Sequence, residues 1–101
     1  MTIEKIINND VAELHLSGKL IFLDGGDFRE ILNELFASNV KNIQIHLGEL
    51  TFMDSAGLGM LMIAYKECDM RKIHLTVHNP RGDVKALMQL TKSYEKFNII
   101  G

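Results

Sequence analysis

The chain of 101 residues has a single cysteine, Cys68, so it cannot close an internal disulfide, and no thiolate framework for a metal is present. A reducing compartment is expected. It has one proline and no low-complexity linker, and its 47% hydrophobic and 24% charged residues fall in the globular range, away from disordered composition. It lacks a basic excess: 11 Lys and Arg stand against 13 Asp and Glu, for a formal charge of -2. Without a basic stripe to neutralise phosphates, nucleic-acid binding is not expected. Long apolar runs are missing too. The longest, Leu58 to Tyr65, is far short of a bilayer span, and Glu4 stands where a signal peptide carries basic charge. The expectation is a cytoplasmic protein with no membrane segment, one domain over residues 1–101.

What is present is a period that changes repeatedly between two and about 3.6 along the chain. Residues 2–8 and 11–17 read as strands, joined by Asn8-Asn9-Asp10 in a hairpin, with further strands at 42–47 and 72–78 and a short last one at Phe97 to Ile100. Between them lie three helices. The first has Phe28, Ile31, Leu32, Leu35 and Phe36 on one stripe, with a capping-box spacing from Asp27 to Glu30. The second runs from about Ser55 to Asp69. The third is expected to start at Asn79-Pro80, as N-cap and first helical residue, with Val84, Leu87 and Met88 facing inward. The order ββαβαβα(β) makes an α/β fold, antiparallel at the hairpin and parallel where helices cross over.

Within the strands, Leu14, Leu16, Ile43, Ile45, Leu47, Ile73, Leu75 and Val77 share one parity, and Glu13, His15, Gln44, His46, His74, Thr76 and His78 share the other. A sheet covered on both faces would read as near-continuous apolar runs, so the helices are expected on one side only. All four histidines fall on the polar side. His74 and His78 are four residues apart on one strand, about 13 Å, too far to share an ion. A solvated face and no metal site are expected.

The functional signal is the strand-to-helix turn Asp54-Ser55-Ala56-Gly57. Asp54 and Ser55 are both good N-caps, and whichever is not the cap lies beside the free N–H groups of the helix start, where a phosphate is tolerated. Gly57 and Gly59 leave the backbone unobstructed, either for a partner or for tight packing. The helix that follows is apolar nearly all round: Leu58, Leu61, Met62 and Tyr65 form one stripe, and Met60, Ile63 and Ala64 widen it. Met60 and Ile63 then either present a patch to a partner or pack beneath the first or third helix. Ser55 as a hydrolytic nucleophile is not expected, because there is no Gly-x-Ser-x-Gly elbow and His46 lies eight residues before Asp54 on the polar face. Nothing calls for a cofactor.

The segment Leu50-Thr51-Phe52-Met53-Asp54-Ser55-Ala56-Gly57-Leu58-Gly59 resembles the signature of STAS domains, in particular bacterial anti-sigma-factor antagonists, and Leu16-Ser17-Gly18 and Asn79-Pro80 extend the likeness over nearly the whole chain. The resemblance implies a STAS fold: a mixed four- to five-stranded sheet with helices mainly on one face. It implies a non-enzymatic protein, monomeric when free, that binds a serine-kinase anti-sigma factor and is released on phosphorylation, with a serine phosphatase restoring it. The phosphorylated position corresponds to Ser55, with Asp54 beside it and Ala56 removing any second hydroxyl. The implied partner surface takes in Asp54, Ser55, Ala56, Gly57, Gly59, Met60, Ile63 and the loop residues Asp24, Gly25 and Gly26. Two stretches depart from the family pattern. Lys19-Leu20-Ile21-Phe22-Leu23 is basic and apolar where an acidic-hydrophobic-acidic run is usual, and Thr91-Lys92-Ser93-Tyr94 replaces a Ser/Thr-Gly-Leu run. The first implies a different partner surface. A transporter-associated or scaffold STAS subunit that is never phosphorylated is the alternative.

Overall fold

Alternation of apolar and polar residues sets up five strands, and a computed structural model covering residues 1–101 places them in one mixed sheet in the order β1-β2-β3-β4-β5. β1 (Thr2–Asn8) and β2 (Val11–Leu20) form the antiparallel hairpin, with Asn9 in the left-handed conformation that asparagine tolerates in tight turns. β3 (Asn42–Met53), β4 (His74–His78) and the two-residue β5 (Ile99–Ile100) then add in parallel. The connections carry α1 (Gly25–Phe36), α2 (Ser55–Met70) and α3 (Gly82–Leu90).

The apolar parity of the strands becomes the core. Leu14, Leu16, Ile43, Ile45, Leu47, Leu75 and Val77 are buried in one cluster with Phe28, Leu32 and Leu35 of α1, Leu58, Leu61 and Ala64 of α2, and Val84 and Met88 of α3. The helices therefore cover one face of an α/β sheet, and the polar parity is left half-exposed on the other. Cys68 is fully buried in this core, and burial pushes its thiol up to about 11.

Several boundaries differ from the sequence expectation: β2 runs on to Leu20 instead of residue 17, β4 begins at His74 instead of 72 and β5 at Ile99 instead of Phe97, and the differences that shape the site lie at β3, α1 and α3. β3 runs to Met53 instead of ending at residue 47. His15 pairs with His46 but Ser17 pairs with Glu49, and Gly18 pairs with Leu50 but Lys19 with Phe52, so β3 gains one extra residue twice against β2. Each insertion shifts the buried parity, from Leu47 to Leu50 and then to Met53, and the strict alternation that signals a strand is lost although the strand continues.

At α1, the expected cap Asp27 lies inside the first turn. A 3-10 turn over Phe22–Asp24 precedes the helix, and the Asp24 carboxylate reaches back to accept the Ile21 N–H at 2.8 Å. That bond is the main reason the Asp24 carboxyl is held below its ordinary range.

α3 starts at Gly82, after an extended Arg81, and Asn79 is not its cap. The Asn79 N–H donates to the Ile100 carbonyl at 2.9 Å and its φ is 55°, so it is still engaged with β5 and turns the chain before the helix can begin. At the other end of α3 the Thr91 hydroxyl bonds the Leu87 carbonyl at 2.8 Å, and Lys92 follows at φ 61°, a conformation that glycine reaches with less strain.

Candidate functional site

The site is assembled where β2 and β3 end side by side. Leu20 pairs with Met53, and the next N–H, that of Asp54, donates to the Leu20 carbonyl at 3.3 Å. The chain leaving β2 enters the 3-10 turn and the chain leaving β3 enters α2, so the two exits are neighbours.

Asp54 joins them. In an extended conformation (φ -91°, ψ 179°) it is the N-cap of α2, its Oδ1 accepting the Gly57 N–H at 2.7 Å. Its Oδ2 accepts the Phe22 N–H at 3.1 Å. One carboxylate thus fixes the helix start and the 3-10 turn relative to each other. The choice left open by sequence, which of Asp54 and Ser55 caps the helix, falls to Asp54. Ser55 becomes the first helical residue, exposed, with its hydroxyl free of the capping role. Ala56 behind it is half-buried.

The two glycines serve different ends. A Cβ on Gly57 would lie 2.3 Å from the Leu20 carbonyl oxygen and 3.0 Å from Met53 Cγ, so the absence of a side chain is what lets α2 lie against the ends of β2 and β3. A Cβ on Gly59 would meet nothing within 4 Å.

Met60 and Ile63, for which exposure and packing were both open, divide between the two. Met60 is half-buried on the rim of the core, while Ile63 is exposed. Together with Gly25, Phe28, Arg29 and Leu32 they line a shallow apolar cleft of about 140 Å³ between α1 and α2. Beside it, Arg29 spans the two helices, its Nη1 2.5 Å from Glu67 Oε2 and its Nη2 3.1 Å from Oε1. The pair pulls the Glu67 carboxyl below its ordinary range and raises Arg29.

The loop that sequence singled out at Asp24, Gly25 and Gly26 contributes differently from its charge. Besides Ile21 N–H, the Asp24 carboxylate faces the chain's terminal amine at 3.3 Å, so it is spent within the fold, and Gly26 alone of the three is exposed. The prominent side chains are those just before it: Phe22 is 74% and Leu23 83% exposed, next to the carboxylate that holds Ser55's helix. Sequence reasoning noted the apolar character of this stretch but not these two residues as a surface. The available signal was an apolar pair followed by Asp-Gly-Gly, belonging to neither a strand nor a helix period. The structure thus brings Ser55, Met60, Ile63, Gly25 and Gly26 to one end of the molecule, with Phe22 and Leu23 beside them.

A second cluster lies on the open face of the sheet. Register places His15 opposite His46 and His46 opposite His78, and their rings stack with centroids 4.2 Å and 4.4 Å apart. The along-strand distance considered in sequence does not apply across strands. Burial, and then the neighbouring His78 and His15, pull His46 below its ordinary pKa, and burial does the same for His78.

Residues 2–100 match the STAS domain, and the chain belongs to that family. Solved structures agree in fold. SpoIIAA, an anti-sigma factor antagonist, superposes in its unphosphorylated form with a TM-score of 0.78 at 18% identity, over 99% of this chain and 88% of that one. The phosphorylated form from Bacillus gives 0.76 at 18% identity, over 99% and 92%. An anti-sigma factor antagonist from Mycobacterium paratuberculosis gives 0.85 at 17% identity, over 97% and 83%. A sulfate transporter family protein from Wolinella succinogenes gives 0.78 at 13% identity, over 94% and 80%. At these identities the likeness is one of fold.

Proposed function

We propose that this STAS domain is a phosphorylation-controlled protein-binding switch in the cytoplasm. In this reading unmodified Ser55 and the surface around it dock on a serine-kinase anti-sigma factor, the kinase phosphorylates Ser55, and the complex separates until a serine phosphatase removes the group. The observation that carries the reading is the division of labour at the turn. Asp54 takes the cap, so the Ser55 hydroxyl is exposed at the head of α2 and can accept a phosphate without unfolding the helix.

Phosphorylation adds about -1.5 to -2 charges. The free N–H groups at the helix start favour a phosphate in the unbound chain. In a complex the same charge would have to be buried next to the Asp54 carboxylate and the apolar side chains of Phe22, Leu23 and Ile63, which costs several kcal/mol. Every ~1.4 kcal/mol is a factor of ten in affinity, so release by two or more orders of magnitude is expected. That SpoIIAA, of the same fold, is known in both phosphorylated and unphosphorylated forms supports the reading.

The test is incubation with the cognate kinase and ATP followed by phosphosite mapping. Label on Ser55, binding retained but no longer released by ATP in Ser55→Ala, and weakened binding in Ser55→Asp are expected. Label elsewhere would refute the switch. A second reading, a constitutive scaffold that docks on a transporter, draws on the Wolinella relative of the same fold and on the apolar character of the surface at Phe22 and Leu23. Capture of a membrane transporter with no ATP-dependent release would favour it.

A further inference from the structure

The open face of the sheet carries a cluster that a switch at Ser55 leaves unused. Glu13 and His15 lie on β2 with side chains on one face, and β3 places His46 directly opposite His15. Glu13 Oε1 is 3.2 Å from His15 Nε2 and 3.3 Å from His46 Nε2. We infer that Glu13, His15 and His46 form a binding site for a divalent transition-metal ion of the zinc class, the carboxylate oxygen and the two Nε2 atoms being its three protein ligands.

The geometry is close to what such an ion needs. The three ligand atoms lie within 4.8 Å of one another. Bonds of about 2.0–2.1 Å to a tetrahedral zinc ion put its ligands about 3.3 Å apart, the spacing that both carboxylate-to-imidazole edges already have. Two imidazoles and one carboxylate suit a borderline ion; calcium and magnesium prefer sets made of oxygen alone.

The rings of His15 and His46 lie parallel, 3° apart in plane, so their Nε2 lone pairs lie in parallel planes and do not meet at one point. Convergence on one ion requires rotation about χ2, a broad and soft torsion, with the ring proton on Nδ1. The resting arrangement, with Glu13 Oε1 between the two Nε2 atoms, already gathers the donors.

His78, held by a 2.8 Å bond to Thr76 Oγ1, stacks on the far side of His46 and steadies its ring, while Gln44 Oε1, 3.3 Å from His46 Nε2, has to give way when an ion takes that nitrogen. The side chains of Glu13 and His15 are 36% and 41% exposed and that of His46 22%, so an ion enters from solvent and keeps a coordination position for water or for a donor from another molecule. Cys68, the one thiol, is buried on the helical side and does not compete.

Isothermal titration of zinc chloride into the intact chain, free of any polyhistidine tag, tests the inference. One ion per chain is expected to bind with micromolar affinity. His15→Asn, His46→Asn and Glu13→Gln should each weaken binding by at least about tenfold, the loss that even outer-shell substitutions reach. His74→Asn, on the same face but paired with Asn42, should leave it unchanged. Imidazole nitrogen shifts on adding zinc should move for His15 and His46 and not for His74. Absence of saturable binding, binding that survives both His46→Asn and Glu13→Gln, or equal loss in His74→Asn would overturn it. Glu13→Gln preserves shape on a half-exposed strand position, so its result does not depend on the histidine variants folding.

Discussion

Adding one methyl group at Gly57 and one at Gly59 should have opposite effects on stability, although the two sites are two residues apart on one helix. Alanine is about 1 kcal/mol better than glycine inside a helix. At Gly59 nothing opposes that gain, because the new Cβ meets no atom within 4 Å. At Gly57 the new Cβ would sit 2.3 Å from the Leu20 carbonyl oxygen, short of ordinary contact by about 1 Å. The obstacle is backbone at the end of β2, which has no rotamer to yield. The first turn of α2 must lift, at an overpacking cost of about 1–3 kcal/mol. The same Leu20 carbonyl accepts the Asp54 N–H, and losing that bond adds about 1 kcal/mol. After subtracting the helical gain, Gly57→Ala should destabilise by about 1–3 kcal/mol. For a domain of this size each kcal/mol moves Tm by about 4–8 °C. Thermal unfolding followed by circular dichroism should therefore show Gly57→Ala melting about 10 °C lower and Gly59→Ala about 4–8 °C higher than the parent. A Gly57→Ala protein that melts at or above the parent temperature would refute the packing argument.

The remaining expectations concern the surface around the site. Phe22→Ser with Leu23→Ser should leave urea unfolding within about 0.5 kcal/mol of the parent, since both side chains are exposed, while weakening capture of the proposed kinase partner; unchanged capture would remove this pair from the proposed docking surface. Glu67→Gln should cost less than about 1 kcal/mol at neutral pH, because the pair with Arg29 is partly exposed. The sign of its pH dependence is fixed by the lowered carboxyl. The stabilisation is complete above the ordinary value of 4.5 and is lost as pH falls through the depressed folded value. Parent and variant stabilities should thus converge on acidification below pH 4.5, and a gap that persists there would show the ion pair is not its source.

The parts of the fold legible in sequence were those in which one periodicity ran unbroken. Leu14, Leu16, Ile43, Ile45 and Val77 announced their buried face by parity alone, and with them the placement of the helices on one side. The end of β3 was illegible because each of its two extra residues turns the pattern over, which in a string of letters is the same as a strand stopping. Asn79-Pro80 has the composition of a helix start. It was misplaced because its N–H is committed to Ile100, twenty-one residues later in the chain. At the site, the type of turn was readable and its wiring was not: both Asp54 and Ser55 can cap, and the decision rests on a second bond from Phe22 N–H that only the folded chain supplies. The histidine row was visible as four residues of one parity, but its neighbours lie across strands, where register and not spacing sets the distance.

Strands that neighbour each other in the sheet also follow each other along the chain, and this has a consequence for how the molecule is put together. No strand has to be inserted between two that are already paired. A chain emerging from synthesis can add each β-unit to an existing border, closing loops of moderate length one at a time, which suits folding at the intermediate speed of mixed α/β domains. Growth by addition leaves a fresh unpaired border at every stage, and such a border is equally open to a foreign strand. On one side that border is β5, which pairs only Ile99 with Val77 and Ile100 with His78. A strand of two residues offers almost no template for another chain, so the longer border of the sheet is the seven-residue β1 at the opposite edge.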